Sequence, residues 1–276
     1  MTKLIHAQDL SSAWLDALEH LLLCGGKDTN VIVAIERVNE EILDIRQLLD
    51  DFLQERSGHK GEEFVPVTTV ANTIFPQALY QPQRGSEART FLYQMYEQSF
   101  AIAKRFPANH YGTYFRRMVS WQTGQKEVNQ LEAIINRLCR GLSRPNPLSS
   151  AYEIGISDVI ETDVDAPETG EIRIYQPDYD GRLMGFPCLS HISLTLFKKQ
   201  LHLTALYRNQ HFIRKAYGNY VGLSCLLRFL CQEIGCEPGE LTCVASHADA
   251  ELTMGKQAIT SLIQHCKSRL SISNMI

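Results

Sequence analysis

The 276-residue chain holds eight cysteines but no Cys-x-x-Cys pair. The spacing of Cys24, Cys139, Cys188, Cys225, Cys231, Cys236, Cys243 and Cys266 suggests neither a disulfide scaffold nor a zinc finger. No metal site is expected on that ground; Cys231 and Cys236 fit a buried helix and its exit. The acidic run Glu161, Asp163, Asp165, Glu168 lacks EF-hand spacing and the loop glycine, so it reads as a solvated loop. A Walker phosphate loop, a Gly-x-Gly-x-x-Gly fingerprint and a Ser/His/Asp pattern are absent too, which removes those nucleotide-cradle and hydrolase readings. Long apolar runs are missing: in LDALEHLLLC (15–24) charge interrupts the leucines, so no transmembrane span or secretory signal is expected. Reduced thiols in the cytoplasm are the corresponding expectation. A net charge of −4 leaves no electrostatic footprint for nucleic acid or an anionic membrane. Internal repeats and low-complexity segments are also absent.

What remains is an ordinary globular composition, 44% apolar and 21% charged, suited to one large domain over 1–276. Leucines at 15, 18, 22 and 23 predict an amphipathic helix from Ser11 that ends at Gly25-Gly26. VIVAI (31–35) suits a short strand. Asn39 followed by Glu40 and Glu41 predicts the cap of a second helix. VPVTTVANTIFP reads as extended, ending in a proline turn, and further helices are predicted from Ser86 to about Phe106 and from about Glu127 to Leu142. Residues 143–185 are turn-rich, with AYEIGI and EIRIYQP as candidate strands. HISLTLF and LHLTALYR alternate on either side of KKQ and predict a long hairpin, with Leu201, Leu203, Ala205 and Tyr207 on one face. A helix from Tyr217 to Ile234 follows, capped by Gly235, then a turn at EPGEL, a strand in LTCVASHADAEL and a last helix over about 254–269. This mixture without βαβ regularity predicts α+β.

Chemistry concentrates in 187–219, which holds Pro187, Cys188, Arg208, Asn209, His211, Arg214, Lys215 and Asn219. A thiolate beside cationic side chains has a lowered pKa and is a nucleophile. The hairpin can return Arg208 to Cys188. An arginine fork suits phosphate, and an Asn amide can read a ring edge with one donor and one acceptor. Taken alone, the same residues also fit a buried thiol, a solvated basic hairpin and a helix-capping Asn.

In order and spacing these motifs resemble the thymidylate synthase and pyrimidine hydroxymethylase superfamily. FPCLSHISLTLFKKQLHLTALYRNQHFIRKAYGNYVGLSCLLRFLCQEIG resembles the family core, with a cysteine, an arginine twenty residues on and an asparagine eleven beyond. YGTYFRRM (111–118), NQLEAIINRL (129–138), IYQPDYDGRLMGFPC (174–188) and PGELTCVASHADAE (238–251) resemble its other ordered segments. The best-matching core spans 105–252, and 1–60 is a diverged N-terminal helical segment. The resemblance implies a large twisted mixed sheet flanked by helices and a homodimer packed through the sheets. It implies one-carbon transfer from 5,10-methylenetetrahydrofolate to C5 of a uracil-type nucleotide or nucleoside. Cys188 would be the nucleophile, Arg208 its activator and phosphate contact, Asn219 the reader of the pyrimidine edge, and Tyr111 a pocket residue near the reacting carbon; Arg116 lies in the same Tyr-Gly segment.

Departures from the family pattern cluster around the nucleotide. Asn209 stands for the family's serine and His211 for its aspartate; Asp249 and Glu251 stand where its sugar-binding His and Tyr would be, with His247 nearby. RKAYG replaces a glycine-rich loop, ETGEIR stands for a double arginine after an insertion within 143–172, and GGKDTN replaces the N-terminal loop. Arg214 and Lys215 are the candidate replacements for the phosphate arginines. A diverged nucleotide-binding or sensor protein without catalysis is the alternative these changes support.

Overall fold

The computed structural model describes residues 2–58, 63–105, 112–123, 126–142, 169–176, 180 and 187–273. Tyr111, AYEIGI and most of the 143–172 insertion lie outside them. Strand β1 (Lys3–Ala7) leads into helix α1 (Leu10–Leu23) and strand β2 (Lys27–Ile35). Asp9 caps α1, its carboxylate accepting from the backbone N–H of Ser11 (2.9 Å) and Ser12 (3.0 Å). The helix buries Trp14, Leu15, Leu18 and Leu21. Next come α2 (Leu43–Arg56), α3 (Val67–Ile74), α4 (Ala88–Ala103) and α5 (Tyr114–Val119). A small antiparallel ribbon of β3 (Trp121–Thr123) and β4 (Lys126–Val128) precedes α6 (Gln130–Leu142). The second half holds β5 (Thr169–Arg173), β6 (Leu189–Phe197), β7 (Gln200–Tyr207), β8 (Gln210–His211), α7 (Tyr217–Ile234), β9 (Glu237–Asp249) and α8 (Lys256–Ser273).

The described strands form a seven-stranded mixed sheet in the order β1-β2-β9-β7-β6-β5, with β8 also beside β9. Pairs β1–β2 and β7–β9 are parallel; β2–β9, β5–β6 and β6–β7 are antiparallel. This is the α+β class that the pattern predicts. One register row crosses six strands, through Ile5, Val33, Cys243, Ala205, Ile192 and Ile172, and every member is buried. Period-two alternation sends these residues to the helix-covered face. The hairpin turns on Lys198 and Lys199, both at positive φ (50° and 64°), as a two-residue turn between right-twisted strands requires. Helix α7 is buried nearly all round, from Tyr217 to Ile234, and ends on Gly235 at φ 75°.

Four expectations change. VPVTTVANTIFP is not extended: Val67–Ile74 is helical. Its β-branched residues resist a helix only weakly, and packing overrides them. Gly218 and Gly222 of α7 leave the room, since a Cβ at Gly218 would lie 2.5 Å from Val70 Cβ and one at Gly222 2.7 Å from the Ala71 carbonyl oxygen. Asp50 accepts the Val67 N–H at 2.7 Å, satisfying one orphan donor of this helix. The second helix starts at Leu43 rather than after Asn39. EPGEL is strand rather than turn, because β9 begins at Glu237 and pairs with Gln200 of β7. Finally, 1–60 contributes β1 and β2 to the sheet as well as two helices.

Replacing Gly222 by Ala forces α3 away from α7. Urea denaturation should show a loss of about 1–3 kcal/mol, the usual cost of overpacking.

Candidate functional site around Cys188

The backbone leading toward the thiol is held by polar groups on two helices. Gln130, fully buried at the start of α6, reads the edge of β5 with both ends of its amide: Oε1 accepts from Arg173 N–H and Nε2 donates to the Arg173 carbonyl, each at 2.9 Å. Its Nε2 also donates to the Arg117 carbonyl. Arg117 of α5 forms a two-pronged pair with buried Asp180 (2.6 and 2.8 Å) and donates to the Ile174 carbonyl. Asp180 in turn accepts from Gln176 N–H.

Cys188 sits immediately before β6, half-buried. Its carbonyl accepts the Arg208 N–H at 2.8 Å, so the hairpin returns Arg208 beside it. Arg208 Nη2 donates to the Pro187 carbonyl (3.1 Å), and the guanidinium carbon lies 3.9 Å from the centroid of the Tyr175 ring. Burial pushes the Cys188 thiol above its ordinary value; the charges of Arg208 and Lys215 oppose this without overcoming it. Lys215 is exposed as a residue, but protein atoms crowd its ammonium. Burial and then Arg214 lower its pKa, while Glu251 and Cys188 raise it. It thus lies within electrostatic reach of both the thiol and Glu251.

Aromatic hydroxyls complete the interior beside the thiol. The Tyr114 phenol is pushed up to about 12, by burial and then by proximity to Cys188, while the backbone amides of Leu189 and Cys188 act against this. Burial, and then Cys243, Tyr114, Tyr220 and Cys188, push the phenol of Tyr207 on the buried face of β7 well above its ordinary value. The hydroxyls of Tyr207 and Tyr220 and both amide atoms of Gln210 are buried without a hydrogen-bond partner among the described residues. Buried polar atoms left in this state are the exception in folded proteins. Asn219 is 4% exposed on the first turn of α7.

The remaining candidates form a polar chain along β8 and β9. His247 Nδ1 meets Asn209 Oδ1 at 2.9 Å, and Asn209 Nδ2 meets His211 Nε2 at 3.3 Å. In this arrangement the Asn209 oxygen accepts from His247 Nδ1 and its amide nitrogen donates to His211 Nε2. His211 Nδ1 then faces Glu251 Oε1 at 3.6 Å. Glu251 is 5% exposed and adopts left-handed backbone angles (φ 56°, ψ 48°). Its Oε2 accepts from the N–H of Ile213 (3.0 Å) and Arg214 (2.9 Å), and its Oε1 takes the Arg214 Nε–H. It therefore latches the π-helical turn Phe212–Ala216 that feeds α7. Asp249 accepts the Glu251 N–H (2.7 Å) and pairs with Lys27 (3.2 Å). Burial works against its charge, but those partners hold its carboxyl below the usual range.

The structure thus brings Cys188 and Arg208 together, with the charge of Lys215 acting on the thiol, and links Asn209, His211, His247 and Glu251 in a second group. Arg116 is elsewhere, paired with Glu97 of α4 and facing Phe100. Tyr114, Tyr175, Tyr207 and Gln210 are the residues that motif reading passes over. Inward alternation ending at Tyr207 is the signal that marks one of them.

No family model matches the chain. Three curated proteins named "Putative thymidylate synthase" are similar in sequence. The chain is 26% identical to the Methanosarcina mazei protein over 196 residues, which is 71% of this chain and 76% of that protein. The Methanosarcina acetivorans protein is 23% identical over the same extent. The Methanosarcina barkeri protein is 20% identical over 248 residues, 89% of this chain and 88% of that protein. The relationship is distant and thymidylate-synthase-like. The mixed sheet flanked by helices is compatible with that fold.

Two measurements follow from the geometry. Iodoacetamide labelling of Cys188, followed by peptide mass spectrometry, should keep accelerating with pH beyond roughly pH 8.5, the ordinary thiol value. Lys215→Met removes a charge that favours the thiolate and should slow labelling at pH 8. Glu251→Ala leaves the buried Ile213 N–H and the part-buried Arg214 N–H without an acceptor and should cost about 1–3 kcal/mol in urea denaturation.

Proposed function

We propose that the protein transfers a one-carbon unit to C5 of a uracil-type nucleotide or nucleoside, with Cys188 as the nucleophile. The observation carrying this reading is the convergence on one thiol of Arg208, returned by a 2.8 Å backbone hydrogen bond, and Lys215. After loss of its proton, the Cys188 sulfur adds to C6 of the ring, which makes C5 nucleophilic. Arg208 and Lys215 offset the charge on sulfur before it attacks, and the positive charge of Lys215 suits an anionic group on the substrate. The Asn219 amide suits the polar edge of a pyrimidine.

5,10-Methylenetetrahydrofolate would supply the carbon for methylation or hydroxymethylation. The donor set fits it less well than the pyrimidine. The residue standing for the family's folate-supporting aspartate is His211, held by Asn209, and the nearest carboxylate, Glu251, is spent on backbone N–H groups. No step is therefore assigned through the donor. The same engagement of Asp249 and Glu251 removes free acceptors from the sugar position and favours the second reading, a nucleotide-binding or sensor protein of this fold. A homodimer fits the sheet's other face, where Leu4, Ile32, Val244 and Leu206 form one row and Leu4 is 63% exposed.

Intact mass spectrometry after incubation with 5-fluoro-dUMP or its nucleoside, with and without methylenetetrahydrofolate, separates the readings. An adduct that disappears in Cys188→Ala is expected. Reversible binding with no adduct from either ligand would establish the second reading in place of the first.

A further inference from the structure

Outside the cluster around Cys188, a different set of side chains converges at the C-terminal end of α1. His20 and Cys24 are one helical turn apart and share a face. The chain then reverses through Gly25 (φ 78°) and Gly26 (φ 98°), which returns Asp28 to the same place. His20 Nε2 lies 2.7 Å from Asp28 Oδ2 and 3.6 Å from Cys24 Sγ. The three ligand atoms all lie within 4.8 Å of one another. We propose that His20, Cys24 and Asp28 form a zinc-class transition-metal site with a fourth position open to water. Imidazole, thiolate and carboxylate are zinc's common donors, and a tetrahedral ion with such ligands sets them about 3.3–3.6 Å apart. The His20–Cys24 separation already meets that span. The His20–Asp28 hydrogen bond has only to open by about 0.6 Å to do so.

The surroundings prepare the site. Asp28 spends Oδ1 on the Thr29 N–H (2.7 Å) and turns Oδ2 toward the cluster. The reversing turn is fixed on its other side. The Gly26 carbonyl accepts the Ala250 N–H at 2.8 Å, and a Cβ at Gly26 would lie 2.5 Å from Leu252 Cδ1. Cys24 is exposed, so an ion can reach the thiol. On binding, the thiol proton goes to solvent, the imidazole proton rests on Nδ1, and Nε2 offers its lone pair. The metal then cross-links the end of α1 to the start of β2, next to the Lys27–Asp249 pair. The absence of Cys-x-x-Cys hid this set: it reads His-x₃-Cys-x₃-Asp, half on a helix and half beyond a turn.

Cobalt titration of the full chain after chelator treatment tests the proposal. One equivalent should produce thiolate-to-cobalt absorption in the near ultraviolet and strong visible d–d bands, both removed by zinc. Cys24→Ser should abolish the ultraviolet band. His20→Ala and Asp28→Asn should each weaken binding by more than about tenfold, the loss that even an outer partner of a ligand can cause. Circular dichroism and the Cys188 labelling rate, unchanged in Cys24→Ser, show that the fold is kept. The double change Cys231→Ser and Cys236→Ser should leave the bands in place. Absence of the bands, or bands that survive Cys24→Ser, overturns the site.

Discussion

The hydrogen bond from the Arg208 N–H to the Cys188 carbonyl fixes Arg208 beside the candidate nucleophile. It lies at the open end of the β6–β7 ladder, and it brings together two residues twenty apart in the chain. Once it is made, the guanidinium meets Tyr175 and the Pro187 carbonyl, and its charge acts on the thiol. The position of that bond is set by hydrophobic register. The buried row from Ile5 to Ile172 allows β6 and β7 one alignment, since a slip of one residue would turn every core side chain outward. A polar site is thus located by an apolar constraint.

Burial and charge oppose each other at Cys188. Burial wins, so the resting thiol is less acidic than a free cysteine even with two cations nearby. A similar opposition runs through Glu251. Its left-handed backbone is unfavourable for a residue with a side chain, and its carboxylate is deeply buried. Two backbone N–H groups and Arg214 offset both costs. That carboxylate anchors the π-helical turn from which α7 starts, and so helps to set where Asn219 stands. Trp14 and Ser11 of α1 brace the same stretch, donating to the Phe212 carbonyl and hydrogen-bonding the Tyr217 hydroxyl. The N-terminal segment therefore supports the site directly.

Local pattern was a good guide wherever one period ruled. The hairpin, its turn at Lys198-Lys199 and the inward set Leu201, Leu203, Ala205 and Tyr207 follow from alternation. Helix α7 follows from its apolar content and Gly235. It failed where packing outweighed propensity. Val67–Ile74 carries a β-like composition, yet the two glycines of α7 admit it as a helix. Glu237–Glu240 looks like a turn, but pairing with β7 extends it.

By itself, the sequence determined the hairpin, the central helix and the meeting of Cys188 with Arg208, because a hairpin's register follows from short-range alternation and its turn. Only the tertiary structure decided that Asn209, His211, His247 and Glu251 form one chain of contacts, and that Lys215 lies within reach of both Glu251 and Cys188. That arrangement requires β8 to run parallel beside β9, nearly forty residues away in sequence. Parallel pairing needs a crossover, here α7, and no local periodicity specifies which strand edge the returning chain will meet.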